Sequence, residues 1–372
     1  MKIAIFHNFM DNIGGAEIVV LTLARELNGD IYTTNINKEK IKKMGFSDLL
    51  NRIYSIGKVP LNAPFRQQLT LYRFRKLNIK NKYDLFIIAG DWAISGAVKN
   101  KPNLWYVHSP PRELFDLKEY VRKNLVKSWK KIIYDSWVHY NRFLYMRYVR
   151  HIKNIICNSI NTQNRLKKYL KRDSIVINPP TNTADFKFKK NKGYWLSVNR
   201  LYYHKRIELQ LKAFEKMPNK KLIIVGSYEK SKHFNEYAQK CIKNKPKNVE
   251  IKSWINYDEL INLYSNCIGF ITTSKDEDFG MTVIEAMASG KPVIAPNEGG
   301  YKESILNEKT GILIDDINEN KIIQAVNNIE NSKKYFKKDC INQAKKFDKK
   351  EFIKKIKENI KNEKKCANNT CR

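Results

Sequence analysis

Short runs of apolar residues alternate with segments of helical periodicity along the chain, and this alternation limits the fold more than any other feature. Residues 2–7 form the first apolar run, and residues 16–27 follow with apolar side chains at helical spacing. Gly29-Asp30 ends that helix, and a second run begins at Ile31. Parallel strands are joined by long crossovers, usually helices. The alternation therefore predicts an α/β chain with parallel sheets covered on both faces.

The pattern is repeated in the second half of the chain. Predicted strands of the first half include residues 83–89, 104–107, 154–158 and 175–177. Those of the second half are residues 194–198, 222–225, 268–272 and 292–295. The Pro179-Pro180 pair opens a polar, lysine-rich linker between the halves. We predict two doubly wound, Rossmann-like domains, residues 1–183 and 184–350, followed by a helix and polar tail at 351–372.

The chain is strongly basic, with 70 Lys and Arg residues against 37 Asp and Glu, a net charge of +33. Such an excess suits an anionic membrane, a nucleic acid or phosphorylated substrates. A lysine-rich composition without any function explains it equally well. At 42% hydrophobic residues the chain can fill two cores.

The expected location is cytoplasmic. The N-terminus is typical of a first strand rather than a signal peptide, and the six cysteines form no C-x-x-C pair. We find no run of about 18 apolar residues, the length that predicts a membrane span. A peripheral position on the cytoplasmic face of a membrane stays open. Residues 112–150 favour it, because they interleave aromatic residues with Lys and Arg in a long, centrally interrupted helical pattern. The same aromatic residues could instead pack on the domain core.

Two glutamates eight positions apart frame a predicted loop-to-helix junction. Glu277 precedes the turn, Gly280 and Thr282 lie where the helix begins, and Glu285 falls about one turn inside it. A helix N-terminus offers free N–H groups and the positive end of its dipole to a phosphate. A carboxylate at Glu285 can accept two vicinal hydroxyls. Two solvated glutamates around an ordinary helix start are the alternative.

Two cations follow the first predicted strand of the second half. Arg200 and Lys205 come after residues 194–198, and ligands of open parallel sheets bind beyond the carboxyl ends of strands. There they could hold a diphosphate and stabilise charge on a leaving group. In so basic a chain, simple surface charges would look the same.

The first half has two weaker candidates. Gly14-Gly15 follows the first strand and would let a ligand approach the backbone, although it is no G-x-G-x-x-G fingerprint. His108 directly follows the strand at 104–107. It therefore lies at the carboxyl edge of the sheet, where a functional histidine is expected, although a lone histidine is often structural.

Together these segments resemble the family 4 glycosyltransferases of the GT-B fold, also called glycosyl transferases group 1. The resemblance extends over nearly the whole chain and is more specific in the second half. The matching segments are residues 14–17, 108–112, 158–159, 179–180, 200–205, 277–295 and 299–303.

The resemblance implies a role for each candidate residue. Catalytic contacts are implied for His108, Arg200, Lys205 and Glu277. Donor-binding contacts are implied for Gly14, Gly15, Ser253, Trp254, Phe279, Gly280, Met281, Thr282 and Glu285. The nucleotide base would lie near Ser253 and Trp254, and the final helix would cross back onto the first domain.

The family also implies a retaining, front-face reaction with no metal and no cofactor besides a GDP- or UDP-linked sugar. The D-x-D pattern at residues 276–278 is therefore interpreted as incidental. Residues 60–120 are similar to a subgroup often described as mannosyltransferases, which favours GDP-mannose and a glycan or lipid-linked acceptor. Asn199 and Arg206 depart from the family, which commonly has glycines at these positions. Arg206 would add to the diphosphate site or face solvent.

Three alternatives remain. A nucleotide-sugar epimerase of the same fold would need no acceptor, and a phosphorylase would use a lysine-bound cofactor and usually a longer chain. A basic nucleic-acid-binding protein would explain the charge. It would leave the two glutamates beside a helix N-terminus unexplained, because carboxylates repel a polyanion, so nucleic acid is not an expected partner.

Overall fold

A computed structural model describes residues 1–226, 232–253, 255–332 and 336–369 of the chain. The chain divides into two compact units, Met1–Ile177 and Asn178–Arg372. This division lies earlier than the predicted boundary at 183/184. The reason is that the N–H of Thr181 donates to the carbonyl of Phe347 at 3.1 Å, so the predicted linker already belongs to the second unit.

The first unit contains a seven-stranded parallel sheet in the order β3-β2-β1-β4-β5-β6-β7. The strands are β1 (Ile3–Phe6), β2 (Asp30–Thr33), β3 (Ile53–Ser55), β4 (Leu85–Ile88), β5 (Asn103–Val107), β6 (Asn154–Cys157) and β7 (Ile175–Val176). Their central members are buried along their whole length, which explains why they appear in the sequence as continuous apolar runs. The short strand β3 was not predicted, because two of its three residues are exposed.

The helices of the first unit are α1 (Gly15–Glu26), α2 (Lys38–Lys43), α3 (Phe65–Lys76), α4 (Lys118–Asn124), α5 (Lys131–Val149) and α6 (Ile160–Arg165). A 3-10 turn at Ser128–Lys130 lies between α4 and α5. The long pattern at residues 112–150 is therefore interrupted, as predicted. The core on one face of the sheet joins Phe6, Phe74 and Trp105 to Tyr145 of α5.

The described part of the second unit contains a six-stranded parallel sheet in the order β10-β9-β8-β11-β12-β13. The strands are β8 (Tyr194–Val198), β9 (Lys221–Val225), β10 (Val249–Lys252), β11 (Phe270–Ile271), β12 (Val293–Pro296) and β13 (Gly311–Ile314). Separate apolar clusters cover its two faces, one around Phe270 and Met287 and the other around Trp195 and Phe214. The predicted α/β class, with two doubly wound units, is confirmed.

The helices of the second unit are α7 (Ile207–Glu215), α8 (Lys232–Lys243), α9 (Tyr257–Asn266), α10 (Met281–Ala288), α11 (Tyr301–Ser304), α12 (Glu319–Asn331), α13 (Lys337–Lys345) and α14 (Lys349–Asn369). The predicted stripe on α14 is buried, with Phe352 at 2% and Ile356 at 1% exposure. Its crossing onto the first unit stays a prediction. Among the described residues, no helix is long and apolar enough to span a bilayer.

Candidate functional site

Two loops of the second unit meet at the carboxyl edge of its sheet. One follows β8 and ends in a 3-10 turn at Tyr203–Lys205, and the other follows β11 and leads into α10. The strands β8 and β11 are neighbours at the point where the strand order reverses. Ligands of doubly wound sheets bind at such a switch point.

Lys205 and Glu277 form the centre of this edge. The Nζ of Lys205 lies 2.5 Å from Oε2 of Glu277, and the Ser274 hydroxyl donates to the same oxygen. Burial alone would raise the pKa of Glu277, but Lys205, Ser274 and His204 outweigh it and hold the pKa at about 2. Glu277 is thus an ionised carboxylate that is still 21% exposed.

The turn before α10 depends on glycine. Gly280 has φ of +90°, a region that L side chains rarely adopt, and a Cβ there would lie 2.6 Å from the ring of Tyr301. The N-cap residue of α10 is Gly280, which has no side chain that could cap the helix. The N-terminus of α10 therefore lies close to Glu277 in sequence without a side-chain cap from Gly280. The backbone of Gly299 packs closely against the same turn. A Cβ added at Gly299 would lie 2.5 Å from the carbonyl oxygen of Glu277, so only glycine fits there.

Glu285 lies inside α10 and is positioned by a tyrosine. The hydroxyl of Tyr264 donates to Oε2 of Glu285 at 2.7 Å. Burial raises the pKa of Glu285, and this hydrogen bond partly offsets the rise. Its second oxygen stays available to accept a hydroxyl. Tyr264 and Ser274 were not predicted, because hydroxyl donors have no spacing pattern of their own.

The two neighbouring arginines differ in their contacts. Arg200 is exposed, and its guanidinium lies over the Tyr202 ring, 5.1 Å from the centroid. Arg206 pairs with Glu298 and donates to the Thr273 carbonyl at 2.6 Å. These two contacts hold Arg206 against the β11 loop, and its predicted part in the diphosphate site stays a prediction.

Three further predicted residues occupy different surroundings. The side chain of Phe279 is 2% exposed and packs against Phe347, with ring centroids 5.3 Å apart. Only the backbone of Phe279 can therefore make the predicted contact with the donor. Ser253 is exposed directly after β10. Trp254 lies outside the described residues.

His108 follows β5 in the first unit, as predicted. Its carbonyl accepts from Nδ2 of Asn158 at 2.8 Å and from the Thr162 hydroxyl at 3.2 Å. Its Nε2 is buried with no hydrogen-bond partner. His7 and Glu17 lie beside it, with 3.8 Å between His7 Nε2 and Glu17 Oε1. A buried, unsatisfied ring nitrogen is costly and is typical of a site that a ligand completes.

Gly14 and Gly15 begin α1 in the same unit. Gly14 is extended at φ of −170° and precedes the helix, and Gly15 is exposed as its first residue. They place a helix N-terminus at the carboxyl end of β1. Their contact with a ligand stays a prediction.

Two carboxyl groups that follow strands of the first unit, those of Asp91 and Glu113, were not predicted as site residues. Asp91 follows β4 and accepts a hydrogen bond from Asn8. Burial, with the charge of Asp91 adding to it, raises the pKa of Glu113 to about 7. Both residues follow predicted strands, 83–89 and 104–107, and this position is the sequence feature that could have identified them. Across the described residues, no cluster of three or more His, Cys, Asp or Glu is arranged to bind a metal.

We expect His108, which is partly buried, to make stability dependent on pH. Burial, with His7 adding to it, lowers the pKa of His108 to about 3, against 6.5 when exposed, and Glu17 only partly opposes this. Between these values the unfolded chain binds a proton that the folded chain does not, so stability falls as pH decreases from 6.5. The loss reaches up to about 2 kcal/mol at pH 5.

Melting temperatures at pH 7 and pH 5 test this expectation. His108→Asn should lose less stability on acidification than wild type, whereas His139→Asn, at an exposed histidine of α5, should follow wild type. Equal acid sensitivity of all three proteins would show that His108 is not the group responsible.

Comparison with known proteins agrees with this arrangement. Residues 178–347, most of the second unit, match the family model described as "Glycosyl transferases group 1". The chain is 30% identical over 197 residues to an uncharacterized glycosyltransferase of Methanocaldococcus jannaschii, a match to 50% of this chain and 54% of that protein. It is 25% identical to the alpha-1,3/1,6-mannosyltransferase of Dictyostelium discoideum across 90% of this chain and 91% of that protein. A second Dictyostelium relative is the GDP-Man:Man(3)GlcNAc(2)-PP-Dol alpha-1,2-mannosyltransferase, 29% identical over 54% of this chain and 44% of that protein.

Solved structures share the fold. The Anabaena protein HepE, crystallised with UDP-glucose, superposes with a TM-score of 0.74 at 17% identity over 97% of this chain and 100% of that one. Sucrose-phosphate synthase of Thermosynechococcus elongatus gives 0.72 at 17% identity over 97% of this chain and 98% of that one.

Two doubly wound parallel units, with a carboxylate, a lysine and a helix N-terminus converging at the edge of the second sheet, define a glycosyltransferase of the GT-B class. The second unit is similar to the glycosyl transferases group 1 family over residues 178–347.

Proposed function

We propose that this glycosyltransferase is retaining and metal-independent, and that it transfers mannose from GDP-mannose to a glycan or lipid-linked acceptor. The observation that carries the donor site is the contact of Lys205 with Glu277 directly before the N-terminus of α10. A cation, an ionised carboxylate and free N–H groups at one point suit a sugar diphosphate, because the phosphates and the sugar hydroxyls need opposite partners.

The proposed roles follow the chemistry of each group. Lys205 exchanges its contact with Glu277 for the diphosphate, assisted by Arg200 and the first N–H groups of α10. Glu277 then accepts hydroxyls of the transferred sugar, and Glu285 accepts the ribose hydroxyls. The remaining proposed donor contacts are the backbone of Phe279, Gly280, Met281 and Thr282, the base contacts of Ser253 and Trp254, and the contributions of Gly14, Gly15 and His108.

Retention is proposed to need no nucleophile from the protein. The bond from the sugar C1 to the donor phosphate breaks while the acceptor oxygen bonds to C1 on the same face. The acceptor hydroxyl proton goes to the departing phosphate oxygen. Lys205 and the α10 N–H groups stabilise the negative charge that grows on the diphosphate, so the chain's own groups supply the charge compensation.

The proposed donor, GDP-mannose, is supported by relatives of the chain. The two Dictyostelium relatives are mannosyltransferases, and one of them names GDP-Man as its donor. HepE was crystallised with UDP-glucose but shares only the fold. A nucleotide-sugar epimerase of the same fold is the competing function, and it would convert the sugar without any acceptor.

We expect GDP or GDP-mannose to raise the melting temperature of the wild-type protein more than UDP or ADP do, because a ligand that binds only the native state stabilises it. Glu285→Ala should lose this response, since the ribose would lose its carboxylate. Glu39→Ala, at an exposed glutamate of α2 in the first unit, is the matched control and should respond fully.

Other outcomes of this screen are equally informative. A preference for UDP would overturn the mannose assignment and leave the glycosyltransferase site in place. Stabilisation by RNA or DNA but by no nucleotide would remove the proposed donor site. Conversion of a nucleotide sugar without acceptor would favour the epimerase.

We also propose that the enzyme works at an anionic membrane surface, from the cytoplasmic side. The last turn of α4 and the α4–α5 connection expose Lys123, Lys127 and Lys130, whereas Arg122 is held by Asp135 at 2.8 Å and contributes less. Neutralising the three lysines to Gln should weaken binding to vesicles that contain phosphatidylglycerol, most strongly at low salt. Donor-induced stabilisation should not change.

The control replaces three exposed lysines elsewhere, Lys302, Lys309 and Lys346, with Gln. Equal vesicle binding by the two triple variants would contradict a specific role for the α4–α5 connection and would assign the attraction to overall charge.

A further inference from the structure

Helix α5 has a buried face and, on the opposite side, large apolar side chains that are exposed in the described part of the chain. Val138, Asn141, Tyr145 and Val149 are buried on the inner side. Tyr134, Trp137 and Tyr148 pack against the same core. Core packing therefore accounts for part of the aromatic content of residues 112–150, but only for the inner side of the helix.

The outer side is apolar. We define the α5 apolar face as five exposed side chains, Trp129 (70% exposed), Ile132 (78%), Ile133 (64%), Tyr140 (57%) and Phe143 (62%). At about 100° per residue, the four members within α5 fall inside an arc of about 100°. A set of large apolar side chains exposed together on one side of a helix marks an interaction surface.

Cations surround this face. Nζ of Lys130 lies 4.7 Å from the Trp129 ring centroid, and Arg147 is exposed on the same side of the helix. A groove of about 630 Å³ between α4 and α5 is lined by Lys118, Arg142 and the acidic Asp135, together with Phe143 of the face. Apolar side chains with adjacent cations fit the boundary between acyl chains and anionic headgroups.

The neighbouring helix α3 carries a second stripe of the same kind. Phe65 is 68% exposed and Tyr72 is 59% exposed, and they lie on one side of α3 with Lys76, whose Nζ is 5.6 Å from the Tyr72 ring. Nε2 of Gln68 donates to Asn141 of α5 at 2.7 Å, so the two helices are in direct contact.

We propose that the α5 apolar face inserts into the headgroup region of an anionic lipid bilayer, with α3 beside it. The proposal rests on the membrane location above and adds that apolar insertion, not charge alone, holds the enzyme there. A second copy of the chain is the weaker occupant. Residues 129–150 contain five Lys and Arg against the single Asp135, so two such faces would repel each other.

The test is cosedimentation with vesicles of phosphatidylglycerol and phosphatidylcholine, compared with phosphatidylcholine alone. Replacing Ile132, Ile133 and Phe143 with Ser should weaken binding by at least about tenfold, because the buried apolar area is lost. The loss should persist at high salt, where the lysine variant and wild type become equal. A matched control, Ile175→Ser with Leu306→Ser, changes apolar residues exposed elsewhere and should bind as wild type does.

Fluorescence gives an independent readout. Wild-type emission should shift to shorter wavelength when vesicles are added, and Trp129→Phe should remove this shift. Vesicle binding of the serine variant equal to wild type would overturn the proposal. So would a dimer of the wild type in lipid-free solution that the serine variant converts to a monomer.

Nucleotide binding separates the two proposals. If the serine variant keeps its nucleotide response and loses vesicle binding, the face is confirmed without touching the donor site. If no nucleotide stabilises any variant while vesicle binding follows the face, the proposed donor chemistry falls and the membrane face stands.

Discussion

The Lys205→Ala enzyme is expected to transfer sugar about a thousandfold more slowly than wild type, the upper range for losing one group that stabilises transition-state charge. Two effects act together. The departing diphosphate loses its ammonium partner, and Glu277 loses the cation 2.5 Å away that helps to hold its pKa at about 2. The loss should appear mainly in kcat, because the negative charge grows as the sugar–phosphate bond breaks.

Steady-state rates of donor consumption measure this effect. Lys220→Ala is the matched control, because Lys220 forms an ion pair with Glu330 in the same unit, away from the carboxyl edge. The control should lose some stability and keep its rate. A Lys205→Ala enzyme that retains more than about a tenth of the wild-type rate would show that Lys205 is not the diphosphate partner.

Gly280→Ala is expected to lower the free energy of unfolding by about 2–4 kcal/mol and to abolish donor binding. A left-handed backbone costs an L residue roughly 1–2 kcal/mol. The added Cβ would also lie 2.6 Å from the Tyr301 ring, whose hydroxyl is tied to Thr272 at 2.8 Å. The ring is fully buried, so relief has to come from the turn that positions Glu277.

Gly193→Ala separates the two contributions. Gly193 also has a positive φ, +77°, but nothing lies within 4 Å of the position of an added Cβ. It should lose only the roughly 1–2 kcal/mol of the left-handed backbone and keep donor binding. Chemical denaturation of both variants gives the comparison, and equal losses would show that the contact with Tyr301 carries no penalty.

The fold was predictable because its signals are local. A buried parallel strand such as β4 or β8 is a continuous apolar run, and the crossovers between strands are long enough to show helical spacing. Lys205 was predicted as a site residue because it follows a strand, and Glu277 and Glu285 because they frame a loop-to-helix junction. Position relative to a strand end or a helix start thus singled out these three residues without any contact being known.

Those local patterns do not predict contacts between residues that are far apart in the sequence. The sequence did not predict the ion pair of Arg206 with Glu298, because the two residues are far apart in the chain. Phe279 lies in the same motif as Glu277, but its side chain points to Phe347 and the core. Tyr264 reaches Glu285 from another helix, α9, which no spacing rule relates to α10.

Helix α5 shows a different limit. The sequence indicated a basic, aromatic helix and left open whether its rings pack inward or face a membrane. Some of the rings are buried and others are exposed, because the aromatic residues outnumber those that one face of a helix can bury. Tyr145 is 1% exposed and Phe143, two positions earlier, is 62% exposed. Only burial in the folded chain separates the two groups.

Calorimetric titration of GDP-mannose into wild type, Glu285→Ala and Glu39→Ala tests whether the edge of the second sheet binds the donor. We expect wild type and Glu39→Ala to bind one nucleotide sugar per chain, displaced by free GDP, and Glu285→Ala to lose at least about tenfold in affinity. Unchanged affinity in Glu285→Ala, or no binding of any nucleotide sugar by a folded wild type, would contradict a donor site at the edge of the second sheet.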